Sequence, residues 1–236
     1  MEGRPNVSAR MHRHASTRDR VYARLRQEIL SSKLPPGAPL VAAHLAGAVK
    51  ASRTPVREAL LRLVNEGLVL ETPAGLVVKE LTEEEILELY QVRIPLEAAT
   101  ARLAAMHMTP WHLAQIEAFH DKLAAEAQRR EPDGAWIAAL NLDFHRAICE
   151  AARNRLLQEF MSRIYDVMGR FTRTAFRRRP RVLEVIEEHA RLVAALAARD
   201  PDQAEAIARA HMQQALDSRI GLYREQRRTG GPRPGR

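Results

Sequence analysis

Across residues 82–223 apolar side chains recur at helical spacing, and the run is punctuated only at Thr109-Pro110, Glu131-Pro132-Asp133-Gly134, Arg153-Asn154, Arg179-Pro180 and Asp200-Pro201. Strand-like alternation is scarce there. A chain so patterned buries its apolar stripes by packing helix on helix. The marks predict helices over 82–106, 110–129, 134–152, 154–175, 180–199 and 201–223, a bundle of about six helices. Thr82 with Glu85 reads as the capping box that opens the first.

The N-terminal third follows another plan. Val21, Leu25, Ile29 and Leu30 share a helix face, and Leu34-Pro35-Pro36-Gly37-Ala38-Pro39 then breaks the chain. A short Ala-rich helix from Val41 to Val49, anchored by Leu45, is followed by a turn through Lys50, Ala51 and Ser52. The next helix has Ser52 or Thr54 as its cap and Pro55 in its first turn. It buries Val56, Ala59, Leu60, Leu63 and Val64 and stops at Gly67. Two short strands, 68–71 and 76–79, flank a tip at Thr72-Pro73-Ala74-Gly75. Helix, turn, helix and hairpin over 17–80 make a winged helix-turn-helix. The expected fold is therefore mainly α. A disordered basic arm (1–16) precedes the winged helix, the helical bundle occupies 82–223, and a disordered basic tail (224–236) closes the chain.

Charge divides along the same lines. The chain carries 37 Lys and Arg against 29 Asp and Glu, a net charge of +8. Residues 1–80 hold 13 basic and 7 acidic side chains, whereas 81–223 hold 19 basic and 21 acidic. A positive N-terminal third beside a near-neutral remainder points to a polyanion as partner of the first part. The only cysteine, Cys149, has no intramolecular disulfide partner. With mean hydropathy −0.34, no signal-peptide pattern and no apolar run of the roughly 18 residues a span needs, a cytoplasmic protein without membrane association is expected. No Walker loop, GxGxxG or GxSxG string supports nucleotide-dependent or serine-hydrolase chemistry.

Two constellations carry chemistry. On the second helix of the N-terminal unit, Arg53 and Arg57 are four apart and share a face, from which they reach phosphates or guanine edges. Thr54 and the helix N-terminus add neutral donors. The alternative is a small structural subdomain with surface arginines. In the second part, Asn141 and His145 lie four apart on one helix, and His189 and His211 sit inside two later ones. Three imidazoles and an amide oxygen from three helices are how bundles build metal sites, and such donors suit zinc, nickel, manganese or iron. Spacing alone leaves open the plainer reading of capped or surface histidines. Asp143 is two residues before His145 and so projects from another face. Arg177-Arg178-Arg179-Pro180-Arg181 reads as a solvated helix junction, and Trp111 and Trp136 are expected to pack in first turns.

The run from Leu34-Pro35-Pro36-Gly37 through Ser52-Arg53-Thr54-Pro55-Val56-Arg57-Glu58-Ala59-Leu60 to Gly75-Leu76-Val77-Val78 resembles the DNA-binding domain of GntR-family bacterial regulators. The resemblance implies that Arg53 and Arg57, with Ser52 and Thr54 beside them, contact operator DNA, and that the wing tip at Gly75 approaches the minor groove. His44 stands where the family often has a charged residue, and the wing tip carries no basic one.

Residues 82–222 resemble the all-helical FCD effector domain of the family's FadR branch. The matching pieces are Tyr90-Gln91-Val92-Arg93, Asn141-Leu142-Asp143-Phe144-His145, Glu188-His189 and Ala210-His211. Six helices are similar to the VanR-like subgroup. That likeness implies a divalent metal, zinc first with nickel or manganese as alternatives, held by Asn141, His145, His189 and His211. Arg93 matches an effector-site arginine, although at i,i+4 from Glu97 it also suits a helix-surface ion pair. The function so implied is a homodimeric repressor that binds operator DNA and responds to a small organic acid. The competing reading from another class is a metal-dependent enzyme built on the bundle, for which the sequence offers no clear general-acid or general-base partner to the histidines.

Overall fold

The computed structural model describes residues 16–30, 33–171 and 179–228. Among these are nine helices and two strands, in two compact units. The fold is mostly helical with an N-terminal winged helix-turn-helix. Of the basic arm, Arg4, Arg10 and Arg13 lie outside the described residues, and residues 229–236 of the tail do too.

In the first unit, α1 (Thr17–Leu30) begins behind Ser16, whose Oγ accepts from the Asp19 amide at 3.1 Å. Helix α2 (Ala42–Val49) ends on Lys50, at φ 52°, and α3 (Arg53–Asn65) starts three residues later. Leu25, Val56, Ala59 and Leu63 are fully buried and form the centre of the core. Strands β1 (Val69–Thr72) and β2 (Gly75–Val78) pair antiparallel with Thr72 opposite Gly75. The tip is thus the two residues Pro73 and Ala74, one residue tighter at each side than the sequence predicts. Gly75, the first residue after the tip, has φ 117°, a conformation that favours glycine. The Pro-rich segment after α1 does more than break a helix. Leu40 N–H donates to the Leu76 carbonyl at 2.7 Å and Val78 N–H to Ala38 at 2.9 Å, giving the hairpin a third edge.

The second unit holds α4 (Glu83–His107), α5 (Pro110–Ala127), α6 (Gly134–Ala151), α7 (Arg155–Phe171), α8 (Arg179–Ala197) and α9 (Pro201–Arg228). The punctuation residues are its caps. Thr82 Oγ1 accepts from Glu85 N–H at 3.1 Å, Asp133 Oδ1 from Ala135 N–H at 2.9 Å, Asn154 Oδ1 from Leu157 N–H at 3.1 Å and Asp200 Oδ1 from Gln203 N–H at 3.0 Å. Thr109 completes a capping box with His112, whose Nδ1 accepts the Thr109 N–H at 3.1 Å. Helices α4 and α9 are antiparallel, because Arg224 pairs with Glu83 at one end and Arg102 with Glu205 at the other. The Arg224 pair also holds α9 in register to Arg228, so residues 224–228 are helical and not part of a disordered tail. The expected end of α7 at 175 falls outside the described residues.

Trp111 and Trp136 do not pack as the sequence suggests. They are 61 % and 49 % exposed, because each sits on the outward side of its first turn. No helix among the described residues is long and apolar enough to cross a membrane.

Candidate functional site

Helix α6 carries Asn141 and His145 one turn apart, α8 carries His189 and α9 carries His211. Each histidine falls within its helix's apolar stripe: Leu140, Phe144 and Ile148 on α6, Val185 and Leu192 on α8, Ala208 and Met212 on α9 are all buried with them. Packing those stripes together brings the three rings into one buried cluster. His211 Nε2 lies 3.3 Å from His189 Nε2 and 3.4 Å from His145 Nε2.

The opposite edges of two rings are held by carboxylates. His145 Nδ1 is 3.4 Å from Glu97 Oε2, and His211 Nδ1 hydrogen-bonds Glu188 Oε2. A carboxylate acceptor keeps the proton on Nδ1 and turns the Nε2 lone pair inward. Each carboxylate is fixed in turn by an arginine. Arg93 Nε donates to Glu97 Oε1 at 3.0 Å, and Arg181 grips Glu188 with two nitrogens at 2.6 and 3.1 Å. Tyr165 Oη stands 3.3 Å from Glu97 Oε2 and 3.2 Å from the His145 carbonyl. His189 is oriented otherwise: its ring stacks on Phe144 with centroids 3.9 Å apart.

Burial pushes the His211 imidazolium down to about 4, against the pull of Glu188, and pushes His189 well below its ordinary value. Burial alone would raise Glu97, but the His145 ring and the Arg93 guanidinium overcome it and hold the carboxyl at about 2. Near pH 7 His189 and His211 are therefore neutral, and Glu97 and Glu188 are ionised.

At 3.3–3.4 Å a pair of these nitrogens is bridged by an N–H in one tautomer, whereas a shared electrophile accepts the lone pairs of all three in the other. Two nitrogens about 2.05 Å from a tetrahedral ion stand roughly 3.3 Å apart, so the spacing fits one. Asn141 Oδ1 is buried and makes no hydrogen bond among the described residues, although a buried amide oxygen normally has a partner. The donor set of three imidazoles and one amide oxygen fits a divalent metal. Asp143 is turned away toward Arg146, at 3.7 Å, and takes no part.

Asn141, His145 and His211 line a cavity of about 60 Å³ that Tyr90, Arg93 and Arg181 also reach. A water needs roughly 10–15 Å³ by this measure, so the space suits about four to six waters or a small organic molecule. Arg93 and Glu97 are each only 4 % exposed, so their pair is a buried element of the site and not a surface ion pair. Arg181 likewise leaves the solvated cluster in which the sequence puts it, its side chain 12 % exposed and bound to Glu188. Arg177 and Arg178 lie outside the described residues. Periodicity does not find Glu188, because neighbours in a helix diverge by about 100° and His189 claims the obvious face. Tyr165 carries no sequence signal beyond an apolar stripe.

In the first unit, Ser52, Arg53, Thr54 and Arg57 are all exposed on α3, and Gly75 is exposed at the wing tip. Ser52 occupies the N-cap without a side-chain cap bond, which leaves its hydroxyl for other partners. Neither Arg53 nor Arg57 is held by an ion pair among the described residues. Arg62, one helical turn on, is drawn away: it lies 3.7 Å over the Tyr22 ring and pairs with Glu66 at 3.3 Å.

Residues 17–74 match the family of bacterial regulatory proteins, gntR family, and residues 88–214 match the FCD domain. The chain is 31 % identical to the HTH-type transcriptional regulator McbR of Escherichia coli over 80 % of its own length and 86 % of McbR's. It is equally similar, at 31 %, to the HTH-type transcriptional regulator LutR of Bacillus subtilis, covering 84 % of this chain and 98 % of that one. A solved structure of E. coli McbR/YncC superposes with a TM-score of 0.68 at 28 % identity, over 86 % of this chain and 97 % of that one.

Proposed function

The chain belongs to the GntR family of bacterial regulatory proteins and carries an FCD domain, and from that premise we propose that it is a metabolite-responsive repressor whose helical unit binds a small carboxylate through a divalent ion. The three inward-facing Nε2 atoms carry this reading. We assign Asn141, His145, His189 and His211 as the ligands, with zinc as the first choice for the donor set and nickel or manganese next. A bound ion would supply a Lewis-acidic anchor for a carboxylate. Around it, Glu97 and Glu188 keep the Nδ1 protons in place, Phe144 fixes the His189 ring, and Arg93 contacts the effector's carboxylate. Six helices in this unit favour the VanR-like subgroup.

The protein would act in the cytoplasm as a homodimer that sets one α3 into each half-site of a pseudo-palindromic operator. Ser52, Arg53, Thr54 and Arg57 would meet DNA in the major groove and Gly75 at the minor groove. An effector relieves repression only by binding one dimer geometry more tightly than the other.

Elemental mass spectrometry of the purified, untagged protein tests the metal centre. About one zinc, nickel or manganese per chain is expected, and none in a His145→Ala/His189→Ala variant. A metal-free wild type would sink this part of the reading. For the DNA half, the probe is a duplex that the wild-type protein selects from a random-sequence library. The Arg53→Ala/Arg57→Ala variant should lose retention of that duplex while keeping its metal, and undiminished retention would refute the assignment of α3.

A further inference from the structure

We infer that His120 is a positioning residue of the metal centre: through one buried water its Nδ1 accepts the proton that His189 carries on Nδ1 when its Nε2 binds the ion; this rests on the metal-binding reading above. A neutral imidazole has one N–H and one lone pair, so a ring that binds an ion through Nε2 keeps its proton on Nδ1. For His145 and His211 a buried carboxylate receives that proton, Glu97 Oε2 at 3.4 Å and Glu188 Oε2. His189 Nδ1 is buried too, but it makes no hydrogen bond among the described residues. The rival tautomer, with the proton on Nε2, hydrogen-bonds His211 Nε2 at 3.3 Å and cannot bind the ion. A buried N–H without an acceptor is unfavourable, so an acceptor at Nδ1 shifts the balance toward the form that can.

The groups that act most strongly on His189 are His211, His145, His120 and Arg181. Arg181 has no acceptor atom and is held by Glu188. His211 meets the Nε2 edge of His189, and His145 is turned between Glu97 and His211. His120 is left. It lies on α5 on the same face as the buried Ile116 and Leu123, and α5 packs on α6 and α8. Its ring centroid is 6.4 Å from those of both Phe144 and His189. Its Nδ1 is likewise buried and likewise makes no hydrogen bond among the described residues. At that separation nitrogens of the two rings come no nearer than about 4 Å, too far for a direct hydrogen bond and a gap that one water spans. Burial holds His120 below its ordinary value against the pull of Asp121, so near pH 7 the ring is neutral and has a lone pair to offer. Stacking on Phe144, with centroids 3.9 Å apart, fixes the plane in which the His189 N–H points.

The test is long-range proton–nitrogen NMR of the full-length, zinc-loaded protein labelled at histidine, which tells rings protonated on Nδ1 from rings protonated on Nε2. His189 should carry its proton on Nδ1, and His120 should carry its own on Nε2 with Nδ1 free. Zinc bound by a protein whose His120 is protonated on Nδ1 would overturn this inference alone. That spectrum needs no substitution, so it decides even if a variant fails to fold. By competition with a chelating dye, His120→Leu should bind zinc about tenfold more weakly, the usual scale for losing a partner behind a metal-bound histidine. His120→Asn, whose amide oxygen stands about where Nδ1 does, should recover most of that loss. Wild-type affinity in His120→Leu, or an equal loss in both variants, would also overturn it. If the wild type binds no zinc, nickel or manganese, the metal-binding reading falls, and this inference falls with it.

Discussion

Glu97 and Glu188 perform one task from two helices: each accepts a histidine Nδ1 proton and is itself held by an arginine. Their surroundings separate what their loss would do. Glu188→Gln removes the charge behind His211, and metal affinity should fall about tenfold to a hundredfold, read by competition with a chelating dye. Wild-type affinity in that variant would mean that the carboxylate does not tune the site. Glu97→Gln does this and also strands the Arg93 guanidinium, which is 4 % exposed. Breaking a buried pair of this kind costs about 3–5 kcal/mol, so its urea midpoint should drop far more than that of Glu188→Gln. At this scale the sequence exposes Asn141 and the three histidines, through a four-residue step and three apolar stripes. It hides their partners, because Tyr165 and Glu97 are 68 positions apart and Glu188 and His211 are 23 apart.

Elements were more legible than contacts, since what starts and stops a helix lies within a few residues. Thr82, Thr109, Asp133, Asn154 and Asp200 can each be picked out as a break before any coordinates are known, and each accepts an amide at a helix start. Thr82→Ala should therefore destabilise the helical unit by about 1 kcal/mol, seen as a lower calorimetric midpoint. An unchanged midpoint would show that packing alone holds the start of α4. Where elements deviated, a distant group was responsible. Helix α9 runs on to Arg228 because Glu83 waits beside Arg224. The Pro-rich segment gains strand character because β2 has an open edge for Leu40 and Ala38. Helix α4 continues through Pro95 despite the hydrogen bond that proline cannot donate, because α9 packs along its length.

For the whole molecule, the division into two units with separate cores shapes the response to metal removal. An ion that binds only the folded helical unit stabilises it by about 2.7 kcal/mol when free ion is a hundredfold above its dissociation constant. Chelation should lower the unfolding transition of that unit, leave the winged-helix transition where it was, and have no effect on the His145→Ala/His189→Ala variant. A joint shift of both transitions would contradict independent cores. The amino-acid sequence by itself determined the helical class, the winged helix-turn-helix, the places where helices begin and the faces that carry Arg53, Arg57 and the histidines. Those follow from periodicity, capping and proline, which act over a turn or two of chain. Only the tertiary structure decided that His211 Nε2 comes within 3.4 Å of the Nε2 atoms of His145 and His189, that Arg93 is buried on Glu97, and that Arg181 belongs to the cavity. These depend on how α4, α6, α8 and α9 pack, and side-chain contacts between distant helices leave no local mark on the residues that make them.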